Sequence, residues 1–366
     1  MPTPDQKIRY AVVGAGWISQ AAFMPGVAHT GNSVITALVT GDPKKATALG
    51  KQYGITNTYH YDAWPAAIAS GQFDAVYLAL PNWQHRDFAI PALEAGLHVL
   101  LEKPMATSED DCRAIEAAAA RGNAKLLLAY RLHFEPGTLE AIRLMRENAI
   151  GPATLFTSVF TQHVDPANHR AKSGFWAGPV ADMGPYPINA VRNLFAAEPT
   201  EVMAWGTRNY GFDFDDTVCI QLRFPGNRLA QFTVAYGLAG LSEYRLFGPK
   251  GDLVVSPAYA FPGPIAHRLT VNEQTTEKTF PKTDQFGGET QYFSDCILHD
   301  RIPEPDGEEG RLDVRIIAAI DRALQSGQPQ HLPAITRGKR PDPSQVKQLP
   351  PITPPKLIGA AEPSKG

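Results

Sequence analysis

The sequence predicts two successive folds: an α/β domain built on a doubly wound parallel sheet, then an α+β domain with a mainly antiparallel sheet. Three observations carry this reading. Short apolar runs alternate with amphipathic stretches through the first third of the chain, and a glycine-rich turn, Gly14-Ala15-Gly16, closes the first run. After Gly151-Pro152 the texture changes to longer alternating segments rich in Thr, Val, Phe and Tyr. Strand–helix–strand alternation is the signature of a parallel sheet with helices on both faces. A period of two marks strands with one covered face.

Ile8–Val13, Val34–Thr40, Ala75–Leu80, His98–Leu101 and Lys125–Ala129 read as buried strands, apolar on both faces and bounded by Gly, Pro or Asn. Pro43–Tyr53 and His85–Ala95 lie between them with amphipathic spacing. Ser108–Gly122 carries a helix start, with Ser108 as N-cap and Glu109, Asp110 and Asp111 in the first turn, where the helix dipole favours anions. In the second part Ala153–Thr161, Glu201–Asn209, Thr217–Phe224 and Leu229–Tyr236 read as strands, the last two joined in a hairpin over Pro225-Gly226-Asn227. Phe286–His299 and Asp313–Ser326 read as helices. From His331 the chain is proline-rich and aperiodic, which predicts an extended or disordered, dispensable tail. The expected division is 1–130, 131–330 and 331–366.

Composition narrows the function classes. Of 366 residues 43% are apolar and 19% charged, enough for a large core. Lys and Arg total 34 against 37 Asp and Glu, a net charge of -3, so no basic excess exists to neutralise nucleic-acid phosphates. Cys112, Cys219 and Cys296 stand far apart, without a CxxC pair, which argues against a disulfide framework or a zinc knuckle. The start of the chain lacks the apolar stretch of a signal peptide, and no run of 18 apolar residues occurs. The expected setting is cytoplasmic, with neither nucleic acid nor membrane as partner and no metal site.

Gly14, Ala15, Gly16, Trp17 and Ile18 follow the first strand and open the first helix. Two glycines there permit a tight turn and close backbone approach to a pyrophosphate, which then rests on helix N–H groups. Ser19 stands where Gly or Ala is usual, and is small enough for helix–strand packing. An NAD site usually carries an acid at the tip of the second strand, for the ribose 2′-hydroxyl. Here the tip has Thr40, and Lys44 and Lys45 follow one turn later, which suits a 2′-phosphate. Asp42 dissents, but before Pro43 it also reads as the cap of the next helix. NADP is the expected cofactor.

Leu80-Pro81-Asn82-Trp83-Gln84-His85 and Glu102-Lys103-Pro104 sit at carboxyl ends of parallel strands, where open α/β sheets bind ligands. Proline bars the α region at Lys103 and holds it extended, where its ammonium would meet a substrate hydroxyl or simply remain solvated. Gly14-x-Gly16-x-x-Ser19, Pro81-Asn82-x-x-His85 and Glu102-Lys103-Pro104, in that order, resemble the glucose–fructose oxidoreductase/inositol dehydrogenase family of sugar dehydrogenases over residues 7 to about 328. Glu102–Ser108, Ala129–Pro136 and Asp182-Met183-Gly184-Pro185-Tyr186 are most similar to its glucose–fructose and aldose–aldose oxidoreductase subgroup.

That resemblance implies a Rossmann domain followed by an open-faced sheet domain, tightly held NADP, homo-oligomers built through the sheet, and small sugars as substrates. It also implies that Lys103, Asp182 and Tyr186 are the catalytic residues. Removing the C1 hydroxyl proton of a sugar needs a base. A free phenol titrates near ~10, so Tyr186 would need a cation such as Lys103 beside it. Asp182 would orient Lys103 or a sugar hydroxyl; read on their own residues, without the resemblance, a helix cap for Asp182 and a core aromatic for Tyr186 are the favoured readings. Leu80, Pro81, Asn82, His85, Glu102, Lys103, Arg131 and Arg170 join the expected cofactor contacts. Trp83 and His133 join Lys103, Asp182 and Tyr186 on the sugar side. For Arg131 and His133 a structural ion pair is an equal reading, for Arg170 a solvated loop charge. The expected reaction oxidises an aldose at C1 to its lactone and reduces a second aldose to the alditol with the same NADP. The alternatives are a sugar or inositol dehydrogenase that releases its cofactor, and a non-catalytic NADP-sensing regulator. A homodimer through the second-domain sheet is expected, because its strands are rich in Phe, Tyr and Val.

Overall fold

The computed structural model describes residues 7–166, 174–259, 261 and 263–362. The helices in chain order are α1 (Met24–Val27, entered through a π-turn at Ser19–Phe23), α2 (Pro43–Tyr53), α3 (Trp64–Ala69), α4 (His85–Glu94), α5 (Glu109–Arg121), α6 (Pro136–Arg146), α7 (Pro179–Asp182), α8 (Pro185–Leu194), α9 (Gln285–Leu298) and α10 (Gly307–Ser326). The chain forms two compact units. The first runs to Phe134 and takes in Asp284–Val314 and Lys347–Glu362; the second comprises Glu135–Thr283 and Arg315–Val346.

The first unit holds six parallel strands, β1 (Ile8–Val13), β2 (Ser33–Val39), β3 (Asn57–Tyr59), β4 (Ala75–Leu78), β5 (His98–Leu101) and β6 (Leu126–Leu128), in the order β3-β2-β1-β4-β5-β6. Their sequences are apolar because both faces are covered: Val12, Val13, Leu38, Val39, Tyr77 and Leu100 have no exposed surface. Register places the function. Val13 pairs with Val39 and with Leu78, Leu78 with Leu101, and Leu101 with Leu128, so the carboxyl ends of five strands align along one edge. Ser108 caps α5 by accepting from the Asp111 N–H at 3.1 Å, as the acidic first turn suggests.

The sequence missed β3, whose three residues are too few for a periodicity. It also placed the domain boundary as one cut at 130/131, whereas α9 returns to the first unit. The Tyr10 hydroxyl lies 2.8 Å from Ser294 Oγ, and the Asn32 amide donates to Asp295 at 2.8 Å. These bonds and the apolar side of α9 hold it against β1 and β2 of its own unit. Such long-range pairing leaves no trace in local pattern. The described part of the tail after His331 is extended chain with a short 3₁₀ turn at Pro343–Gln345, and it buries Leu332, Gln345 and Ile352.

The second unit carries nine strands in the order β14-β13-β12-β11-β7-β10-β9-β8-β15. They are β7 (Leu155–Gln162), β8 (Glu201–Thr207), β9 (Thr217–Phe224), β10 (Arg228–Tyr236), β11 (Leu241–Gly248), β12 (Gly251–Val255), β13 (Ala266–Val271), β14 (Gln274–Thr279) and β15 (Gln330–His331). Among the described residues only the β7–β10 pair of this sheet is parallel. Alternation sends Val218, Ile220, Leu222, Phe232, Val234 and Leu246 to the buried face. The expected carpet of Phe, Tyr and Val on the open face is therefore corrected to a mixed face: it bears Cys219, Gln221, Gln231 and Arg245 beside the exposed apolar groups Trp205, Leu229 and Leu241. Deep in this unit the fully buried Arg192 pairs with Glu198 at 2.5 Å, and Arg340 completes the pair at 2.8 Å. A buried charge needs such partners.

Candidate active site

In the first unit the site begins at the glycine turn. Gly14 has φ +94°, and a Cβ there would lie 2.5 Å from the Ala79 carbonyl oxygen, so only glycine lets the β1 and β4 loops approach. Gly16 is exposed, and a Cβ there would meet nothing within 4 Å. That open space over backbone N–H groups is the cradle a pyrophosphate needs, so the residues fit a dinucleotide. The Ser19 hydroxyl donates to the Gly14 carbonyl at 2.5 Å and closes the turn from beneath. Ala15 is buried within the turn, while Trp17 and Ile18 are half-buried at its rim.

At the tip of β2, Asp42 caps α2, accepting from the Lys44 and Lys45 N–H groups at 2.9 and 3.1 Å. Its carboxylate is committed to the helix, which leaves Lys45, half-buried, as the charge beside the tip. Thr40 is buried, and Tyr61 bonds to its hydroxyl. Burial raises the Tyr61 phenol above its usual range.

Beyond β4, Leu80, Pro81 and Asn82 line the loop half-buried, and Trp83 is 45% exposed, so its indole is available to a ligand rather than spent on the core. His85, another expected cofactor contact, has its ring spent on backbone carbonyls. It is buried, with Nε2 2.9 Å from the Leu80 carbonyl and Nδ1 3.1 and 3.3 Å from those of Pro104 and Met105. Burial drops its pKa to about 4. The ring thus stitches the β4 loop to the β5 loop that presents Lys103.

Glu102 is held from the core side. Phe23 stacks on Tyr77 with centroids 3.7 Å apart, and the Tyr77 hydroxyl donates to Glu102 at 2.7 Å. The other Glu102 oxygen accepts the Lys103 backbone N–H at 3.3 Å. Burial raises the Glu102 carboxyl, against the opposing charge of Lys103. Lys103 itself is half-buried at the aligned strand ends.

Arg131 and His133, expected on the cofactor and the sugar side, both turn into the interior. Arg131 is buried and donates to the Gln285 side chain, and its charge acts on Glu102 and Glu289. His133 is 2% exposed, stacks on Tyr130, and places Nδ1 3.1 Å from Glu304. The turn after β6 carries both, and these contacts are the structural ones the sequence also allowed. Arg170 lies outside the described residues.

In the second unit Asp182 ends α7 rather than capping a helix. Its backbone N–H donates to the Gly178 carbonyl at 3.1 Å, and its carboxylate accepts the buried Tyr236 hydroxyl at 2.9 Å. Met183 and Gly184 keep right-handed helical angles, so Tyr186 follows nearly one helical turn later despite the flanking prolines. Pro185 and Pro187 fall in the first turn of α8, where missing N–H groups cost nothing. Gly184 is required by space, since a Cβ would fall 2.2 Å from the Val180 carbonyl oxygen. Tyr186 is half-buried, edge-on to Phe160 at 5.4 Å and tilted on Tyr259 at 5.8 Å. Tyr236, Tyr77 and Gln20 carry no sequence signal beyond their strand or helix positions, and sequence reasoning passed over them.

Residues 8–130 match the oxidoreductase family with an NAD-binding Rossmann fold, and residues 138–254 match the GFO/IDH/MocA C-terminal domain. An aldose-aldose oxidoreductase from Caulobacter crescentus, solved with glycerol, is 34% identical with a TM-score of 0.84, covering 89% of this chain and 100% of that one. The chain belongs to the GFO/IDH/MocA oxidoreductase family. Among the family's curated proteins, a D-xylose 1-dehydrogenase [NADP(+)] from Haloarcula marismortui is 29% identical over 332 residues, covering 88% of this chain and 92% of that protein. A 3-ketoreductase from Actinomadura kijaniata, solved with NADP and TDP-benzene, has a TM-score of 0.80 at 22% identity, covers 87% of this chain and 98% of that one, and shares the fold.

Proposed function

We propose that this family member is an NADP-dependent aldose oxidoreductase that oxidises one aldose at C1 to its lactone and reduces a second aldose to the alditol, with the cofactor retained between the two. The observation that carries the reading is the 34% identity over the full length of the Caulobacter aldose-aldose oxidoreductase. The cradle at Gly14–Ile18 supports a dinucleotide, and Lys45 beside the β2 tip, with Asp42 engaged as a cap, supports a 2′-phosphate. The Gly14–Ile18 turn and Lys45 would hold NADP, which would supply the hydride acceptor for the first sugar and the hydride donor for the second.

The chain's own residues handle the proton. Tyr186 accepts it from the C1 hydroxyl in the first half and returns it to the carbonyl oxygen of the second aldose. Lys103 donates to that oxygen and stabilises its developing negative charge. Asp182, braced by Tyr236, orients the sugar or the lysine. Trp83 offers its exposed indole to a pyranose face. The partners are small sugars and a second copy of the chain, paired through the open sheet face around Trp205, and the setting is cytoplasmic. Among the described residues no helix is long and apolar enough to cross a membrane.

The test is a single-turnover half-reaction: mix the NADP-loaded enzyme with an aldose and follow reduced nicotinamide. Tyr186→Phe and Lys103→Ala each slow its appearance ~10²–10⁴-fold, the usual contribution of a positioned acid–base group. A wild-type rate in Tyr186→Phe places the base elsewhere. The similarity to D-xylose 1-dehydrogenases favours a second reading, an ordinary dehydrogenase whose cofactor leaves each cycle. Loss of all nicotinamide absorbance on exhaustive gel filtration would select it.

A further inference from the structure

Ile358 and Gly359 of the tail lie beside the cofactor cradle. Gln20, 1% exposed, spends both ends of its amide there: Nε2 donates at 2.9 Å to the carbonyls of Ala15 and Ile358, and Oε1 accepts the Ile358 N–H at 2.7 Å. One buried side chain thus ties the tail to the glycine turn. The next residue, Gly359, has φ +55°, and a Cβ on it would lie 3.0 Å from Lys45 Cε and 3.8 Å from Asp42 Oδ2. The tail therefore touches the loop after β1 and the loop after β2, the two loops that flank the adenosine half of a dinucleotide in this fold.

Its path there is anchored. The Lys347 N–H donates to the Phe134 carbonyl and the Asp284 N–H to that of Leu349, each at 3.0 Å, and Ile352 is buried. Four prolines in Pro350-Pro351-Ile352-Thr353-Pro354-Pro355 stiffen the span, so little chain entropy is lost when it docks.

The geometry points to a clasp: the arm Pro350–Gly359 is part of the cofactor site and retains a 2′-phosphorylated adenine nucleotide by closing over its adenosine half. The inference rests on the NADP reading above and adds a physical reason for retention, since release then requires breaking the Gln20–Ile358 bonds. It also reverses the expectation that the tail is dispensable.

The probe is NADPH, its release followed by nicotinamide fluorescence after a chase with excess NADP. Three variants loosen the arm differently. Truncation after Leu349 removes it; Gln20→Ala unties it; Gly359→Val pushes it off Lys45 without touching the glycine turn. Thermal melts by circular dichroism verify folding of each. All three should release NADPH at least about tenfold faster than the intact chain. In the intact chain, 2′,5′-ADP should slow tryptic cutting at the exposed Lys356, and nicotinamide mononucleotide should not. Equal release rates in the intact chain and in the folded Gly359→Val variant overturn the clasp. So does faster and tighter binding by the truncated chain, which would make the arm a plug. An intact chain that binds no NADPH overturns the cofactor reading and the clasp together, an outcome distinct from unaltered release.

Discussion

Tyr236→Phe isolates one hydroxyl and keeps everything else. The ring is fully buried at the end of β10, packed on Phe212 and Phe214 with centroids at 5.7 and 6.2 Å, and phenylalanine fills the same space. What disappears is a hydroxyl that donates to the Asp182 carboxylate at 2.9 Å and lies 3.4 Å from the Ala177 carbonyl. A bond to a charged group contributes about 1.5–3 kcal/mol. If that energy fixes the Asp182 rotamer for catalysis, the half-reaction slows roughly ten- to 150-fold, at 1.36 kcal/mol per factor of ten. Stopped-flow reduction of bound NADP by an aldose measures this, with a thermal melt as control. NADP affinity should hold, since Tyr236 lies in the unit without the dinucleotide cradle. A wild-type reduction rate in a folded variant would refute the positioning of Asp182 by this hydroxyl.

Gly14→Ala puts a Cβ 2.5 Å from the Ala79 carbonyl oxygen at a positive φ. It costs about 1–2 kcal/mol from backbone strain alone, so the melting temperature falls and calorimetry shows NADP binding weakened at least about tenfold. His85 supplies a pH test. An unfolded histidine titrates near ~6.5, but burial holds the folded ring to about 4. The unfolded chain therefore takes up the proton first, and stability from this residue is lost as pH falls from the upper value to the lower. The loss is on the order of 3 kcal/mol. Urea titrations at several pH values should show the gap between wild type and His85→Gln narrowing across that window; a constant gap would contradict it.

Local pattern carried much of this fold. The Rossmann strands, Ser108 as a cap and the 225–227 hairpin were legible because each follows from burial on both faces, an acidic first turn or a tight-turn tripeptide. The glycine turn was legible for the same kind of reason, since Gly14 answers a backbone constraint. Direction was not. His85, Arg131 and His133 stand after the expected strands, yet their side chains turn inward to carbonyls, Gln285 and Glu304. A sequence gives the loop on which a residue sits, and neighbours remote in the chain decide where its side chain points. The docking of the tail through Gln20 was invisible for the same reason, because 338 residues separate the partners.

The central claim is that hydride passes between two sugars through a cofactor that stays on the protein. Its most direct test supplies purified, extensively gel-filtered protein with an aldose deuterated at C1 and a second, unlabelled aldose, and adds no nicotinamide. Lactone and alditol should form in equal amounts, with deuterium at C1 of the alditol. No turnover until free NADP is added, or alditol without deuterium, would contradict it.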